Sequence, residues 1–123
     1  MKKAWGVVLG VLLVAQTGWG AWTVTQIWNY GNTVYRLGVN DLRRDGHQRI
    51  YCGTRYGSVH ELSYEQGQWV NRVIDVLSGR VLDVAIAMGR NDDTMRLYVP
   101  CDDGHLYELS YVGSVWQRVD MGD

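Results

Sequence analysis

Residues 49–64 read RIYCGTRYGSVHELSY, and residues 96–111 read RLYVPCDDGHLYELSY. Each stretch opens on Arg-x-Tyr, passes through a glycine (Gly57, Gly104) and closes on Glu-Leu-Ser-Tyr. Working outward, residues 22–68 laid over 69–115 without a gap share twelve identities at a step of 47 residues. Unrelated segments of ordinary composition would share roughly three. The same step carries Trp22 to Trp69 and Trp116, and it also matches Ile27 with Ile74, Val34 with Val81, Arg43 with Arg90 and Asp45 with Asp92. A period in the forties, rich in strand formers and glycine turns, marks a repeated β unit rather than a helical solenoid.

Within one period the strand-like runs come four at a time. They cover 33–42, 48–54, 58–64 and 68–76 in the first unit, then 80–88, 95–101, 105–111 and 115–121 in the second. The run 80–88 (RVLDVAIAM) is apolar enough for a strand buried on both faces. Asn91-Asp92-Asp93, Asp102-Asp103-Gly104 and Gly113-Ser114 fall in the gaps, and Asp-Gly between strand-like runs is a hairpin signal. Four antiparallel strands per 40–50 residues is the blade of a β-propeller. The sequence therefore predicts an all-β chain with two complete blades, 33–76 and 80–121, and a leading strand, 21–28, that matches the fourth strand of a preceding blade. A propeller closes with about four to eight blades. Two blades leave sheet faces to be covered, either by further blades of a longer chain or by self-association into one ring.

Residues 1–20 are of another kind. Lys2 and Lys3 precede an unbroken run of apolar and small residues from Ala4 to Ala15, and Gly18 and Gly20 stand before a plausible cut ahead of Ala21. This reads as the helix of a secretory signal peptide, since the run is too short to cross a bilayer; an uncleaved anchor is the competing reading. The propeller segment is then 21–123, in an extracytoplasmic location: secreted, periplasmic or cell-surface. Removing Lys2 and Lys3 takes the formal charge from −1 to −3, and the ten arginines are spread among aspartates. Nucleic acid and anionic membranes, which select clustered positive charge, are not expected partners.

The residues able to carry chemistry recur in the second and third strands of each unit: Arg49, Glu61, Tyr64 and Trp69, then Arg96, Glu108, Tyr111 and Trp116. A pyranose presents hydroxyls around apolar C–H patches, so a fork of charged donors and acceptors beside an aromatic plate suits it. The same residues also fit a purely structural role. A repeated Arg/Glu pair can staple neighbouring blades, with the aromatics as core between them and Trp69 largely buried. A sugar site needs Arg96 and Glu108 on one face of their hairpin. That requires an odd number of loop residues, because a two-residue turn at Asp103-Gly104 would pair Glu108 with Val99 and split the charges between faces.

The pattern Arg-x-Tyr, glycine, then Glu-x-x-Tyr and a nearby Trp resembles the fucose-binding six-bladed propeller lectins of bacteria and fungi. That resemblance implies Arg and Glu on sugar hydroxyls and an aromatic on the sugar's apolar face, and some members are two-blade chains that assemble into one ring. This chain departs from them in offering Tyr64 and Tyr111 where a pocket Trp is usual, and in its slightly longer repeat. The loop from Val39 to Gly46 (VNDLRRDG) also resembles, more weakly, the calcium loop of integrin-type FG-GAP propellers. Arg43 occupies the middle ligand position of that pattern, and a solvated turn is the alternative.

Nothing points to catalysis, a cofactor or a metal. His47, His60 and His105 fall at three different repeat positions, so no triad or ligand set recurs. Cys52 and Cys101 are out of phase, and adjacent blades place equivalent strands about 10 Å apart, so buried thiols and a disulfide both stay open. The sequence supports a non-enzymatic, lectin-like binding module for a glycan. The alternative is a structural or protein-interaction propeller with no small-molecule site.

Overall fold

The computed structural model describes residues 14–16 and 20–122, and side chains from residue 23 onward. It is all-β, with no helix among the described residues. The chain falls into two units, Met1–Gly31 and Asn32–Asp123.

In the first unit β1 (Val14–Gln16) pairs antiparallel with β2 (Gly20–Trp22), and residues 23–30 form no ladder. Most of the expected signal helix lies outside the described residues. Its described residues, Val14–Gln16 and Gly20, lie in strands rather than in a helix. The leading strand expected over 21–28 is likewise reduced to Gly20–Trp22. Beyond it Asn29 takes the backbone into a turn by accepting the Gly31 N–H at 2.9 Å.

The second unit holds two antiparallel meanders. The first contains β3 (Val34–Asn40), β4 (Arg49–Thr54), β5 (Ser58–Glu65) and β6 (Gln68–Val76). The second contains β7 (Ala85–Ala87), β8 (Arg96–Pro100), β9 (Leu106–Val112) and β10 (Val115–Asp120). Both sheets keep their strands in chain order from one edge to the other. Their last hairpins turn on two residues at positive φ, Gln66-Gly67 (50° and 81°) and Gly113-Ser114 (58° and 68°). This is the turn whose twist matches that of paired strands.

Seven of the eight strands expected in this unit fall within one or two residues of their predicted ends. The exception is 80–88, of which only Ala85–Ala87 is strand. Here local bonds compete with the ladder. The Asp83 carboxylate accepts the Val84 N–H at 2.8 Å, and Val81 donates its N–H to Thr54 of the other sheet at 3.3 Å while bridging Cys101 of its own. Val81 lies so close over Gly53 that a Cβ there would stand 2.2 Å from its Cγ1. The segment thus fastens the two sheets together rather than running as a sheet edge.

The core lies between the sheets. Tyr51 and Val59 from one face of the first sheet meet Leu97, Val99 and Leu109 from the second, closed at one end by Val81, Val84 and Leu77. β3 and β7, the first strands of the two sheets, approach at Gly38, where an added Cβ would stand 2.8 Å from Ile86 Cδ1. Cys52 and Cys101 are both buried and unbridged. Burial pushes the Cys101 thiol above its ordinary pKa.

Candidate site at the junction of the two repeats

Register decides which side chains can meet. Tyr51 stands opposite Glu61 in the first sheet, and Tyr98 opposite Glu108 in the second, where five residues (101–105) separate β8 from β9. The odd loop puts Arg96, Tyr98 and Glu108 on one face, as a sugar site would require. Their hydrogen bonds, however, do not leave that face open. Glu61 is fully buried, and its two oxygens accept Arg43 Nε at 2.9 Å and Nη2 at 2.7 Å, with the Tyr51 hydroxyl at 3.0 Å. Arg49 pairs with Asp45 instead, through two bonds of 2.8 and 2.7 Å, and its Nε stands 3.9 Å from Glu61.

The second repeat reproduces this arrangement. Arg90 grips Glu108 at 3.0 and 2.7 Å, Tyr98 donates to it at 3.0 Å, Arg96 grips Asp92 at 2.8 and 2.7 Å, and Arg96 Nε stands 3.9 Å from Glu108. The sequence predicts an Arg49–Glu61 and Arg96–Glu108 fork; the bidentate partners of the two glutamates are Arg43 and Arg90. Those arginines, with Asp45 and Asp92, complete the network. All four are among the 47-residue identities, which was the signal available.

The electrostatics follow from this pairing. The Arg49 guanidinium holds the Asp45 carboxyl well below the usual carboxylate range, and Arg96 draws Asp92 down to about 2. Burial opposes ionisation of Glu108, but the bonds from Arg90 and Tyr98 outweigh it and its pKa falls. Burial, reinforced by the neighbouring Glu61 charge, pushes the Tyr51 phenol far up. These are paired charges, held in bidentate geometry by their arginines.

The aromatic residues take the other face of each sheet, since Glu61 and Tyr64 differ by an odd number of positions along one strand. Tyr64 meets Trp69 edge-on at 5.4 Å, and Tyr111 meets Trp116 at 5.5 Å. Only the second pair faces the other repeat. Trp116 stands edge-on to Tyr51 at 5.8 Å, while Arg43 lies 4.6 Å over the Tyr111 ring and donates to its hydroxyl at 3.3 Å. The junction therefore joins Arg43, Tyr51 and Glu61 of one repeat to Tyr111 and Trp116 of the next. Trp69, expected to be largely buried, is half-buried, and Tyr64 is 62% exposed. Beside the junction a groove of about 450 Å³ is lined by Arg43, Arg44, Tyr111, Val112, Gly113 and Ser114.

The loop compared with a calcium site is organised by nitrogen donors. Asp41 accepts the N–H groups of Asp45 at 3.1 Å and Gly46 at 2.7 Å, and Asp45 accepts His47 N at 3.1 Å besides its bonds from Arg49. Among the described residues no cluster of three or more His, Cys, Asp or Glu could hold a metal. A row across β5 and β6 has the order hydroxyl, imidazole, amide: Ser58 Oγ to His60 Nε2 at 2.8 Å, and His60 Nδ1 to Asn71 Oδ1 at 3.1 Å. Ser58 also shares a 2.6 Å bond with Thr54, and burial lowers the pKa of His60.

Comparison of the chain with protein-family models, curated proteins and solved structures finds no match.

Proposed function

We propose that this chain is a non-catalytic propeller-type module, exported, whose two blades serve as an interaction scaffold. The observation that carries this is the repeated network. Each glutamate is used up by an arginine and a tyrosine of its own repeat, and Arg43 continues across the junction onto Tyr111. Charges so committed hold repeats in place; to release them to a ligand would strand a buried carboxylate. The propeller reading is supported by two meanders of the same strand order, stacked face to face with their first strands adjacent. Export rests on Lys2, Lys3 and the apolar run that follows them.

A second reading is favoured by the junction groove. Tyr111 offers a ring, Arg43 and Arg44 offer donors, and about 450 Å³ is room for a monosaccharide. A glycan array probed with the purified chain and with its Tyr111→Ala variant separates the two. Scaffolding predicts no glycan bound by the parent. Binding by the parent that disappears in Tyr111→Ala, with circular dichroism unchanged, would establish the glycan module instead.

A further inference from the structure

The turn between the second and third strands has the same backbone in both repeats and different side chains. Arg55 donates its N–H to Thr33 O at 3.0 Å, and Gly57 donates to Thr54 O at 3.1 Å. At the matching places Asp102 donates to Arg80 O at 2.9 Å, and Gly104 donates to Cys101 O at 3.2 Å. Gly57 and Gly104 both stand at φ 91°. In the second repeat the turn's side chains fasten it to its surroundings. Asp102 accepts the Arg80 N–H at 2.5 Å and Nε at 3.2 Å, and Asp103 accepts the hydroxyls of Ser78 at 2.6 Å and Tyr107 at 2.7 Å. In the first repeat those two places hold Arg55 and Tyr56. Eight of the ten arginines pair with a carboxylate, whereas Arg55, like Arg44, has no such partner among the described residues. Tyr56 is 72% exposed. The backbone alone holds this turn, so its two side chains are left over for something else.

Arg55 and Tyr56 line a groove of about 370 Å³ with Ser78, Gly79 and Arg80 of the segment that links the repeats, and with Asp102. Asp102 offsets one of the two guanidinium charges through Arg80 Nε, which leaves the groove one positive charge in excess. That excess matches a single carboxylate, which a guanidinium fork grips through two parallel bonds. A doubly charged phosphate would stand partly uncompensated beside Asp102. One exposed ion pair contributes little by itself, so a ligand held here needs further contacts along its length. The structure offers them: a second groove, of about 360 Å³, meets the first at Ser78, and there Arg118 lies 5.4 Å over the Tyr107 ring. We propose that this groove docks an acidic segment of a partner polypeptide, with one carboxylate on Arg55 and the stem of that side chain on the Tyr56 ring. Arginines commonly recognise acidic motifs in this way. The proposal rests on the scaffold reading above and gives the scaffold a partner and a place to hold it.

The test follows amide and arginine Nε–H signals of the full chain by NMR while a capped peptide of alternating glutamate and glycine is added. Shifts are expected at Arg55, Tyr56 and 78–80, saturating by millimolar peptide and weakening as salt is raised. The same peptide with glutamine for glutamate should leave these signals in place, and sodium acetate should move them only at far higher concentration. Arg55→Gln should weaken peptide binding by about fivefold or more, and Tyr56→Ala should weaken it less. Arg44→Gln, which removes the other unpaired arginine, should leave binding unchanged. Both Arg55 and Tyr56 are exposed, so circular dichroism should stay that of the parent; Arg55→Lys, which keeps the charge and loses the fork, serves if Arg55→Gln fails to fold. Absence of binding, shifts indifferent to Arg55→Gln, or a glutamine peptide that binds equally would overturn the proposal. Acetate as tight as the peptide would overturn the polypeptide partner, and phosphate tighter than the peptide would overturn the carboxylate. If the peptide fails and no glycan binds, only this docking site falls and the scaffold reading stands. Glycan binding with the Tyr111 signature removes the scaffold reading, whatever Arg55→Gln does.

Discussion

Replacing Glu61 by Gln keeps the volume of the side chain and removes the charge that organises the first repeat. Glu61 is fully buried and receives three hydrogen bonds, two from Arg43 and one from Tyr51. An amide oxygen can still take one bond, but its NH2 group faces guanidinium donors and Arg43 loses its counter-charge. Breaking a buried pair by removing one partner costs about 3–5 kcal/mol. Arg43 is partly exposed and rehydrates in part, which brings the expected loss to about 2–4 kcal/mol, or about 10–25 °C in thermal midpoint for a domain of this size. Urea unfolding followed by tryptophan fluorescence measures it. Glu108→Gln is the internal control: it breaks the same bonds beside the far more exposed Arg90 and should cost well under half as much. Equal losses, or a Glu61→Gln loss below about 1 kcal/mol, would refute the claim that coverage by the second sheet gives this network its strength.

Trp116→Ala should destabilise by about 2–4 kcal/mol and Trp69→Ala by clearly less, as read by thermal unfolding, because only Trp116 is wedged between Tyr51 and Tyr111. Gly53→Ala should cost about 1–3 kcal/mol by overpacking against Val81, and Val81→Ala in the same chain should recover part of that loss rather than add to it. In acid, Asp92 and Glu65, each drawn down to about 2, and Glu108, also lowered, contribute stability fully above their unfolded values near pH 4 and lose it as pH falls through the folded ones. The thermal midpoint should therefore drop between about pH 4 and pH 2, and Arg96→Gln should flatten that drop. Cys52 and Cys101 should resist a thiol reagent until the chain unfolds, then react together.

Strand positions were legible because each strand here is punctuated by its own turn chemistry, as at Gln66-Gly67 and Gly113-Ser114. The run 80–88 misleads because composition cannot register that Val81 spends its N–H on the other sheet. At the site, the identities announced the right residues but not their pairing. Arg43 and Arg49 both stand near Glu61 in sequence and space. Which of them grips it depends on how the loop 41–48 closes, and that is set by the Asp41 and Asp45 bonds within it. Face assignment needed no coordinates, since Glu61 and Tyr64 cannot share a face of one strand. The expectation of a fork and plate within one repeat overlooks that parity, which sets Glu61 and Tyr64 on opposite faces. The arrangement found draws them from two.

The span of these contacts along the chain sets the order in which the molecule can assemble. Glu61 is joined to Tyr51 across 10 residues and to Arg43 across 18, whereas Arg43 reaches Tyr111 across 68. Closing a short loop loses little chain entropy, and hairpins of this kind form in microseconds. Each repeat can thus set its own arginine, tyrosine and glutamate in place while the rest of the chain is still fluctuating. The junction forms afterwards by docking two ready-made surfaces, so substitutions inside a network should slow folding and those at Tyr111 should chiefly quicken unfolding.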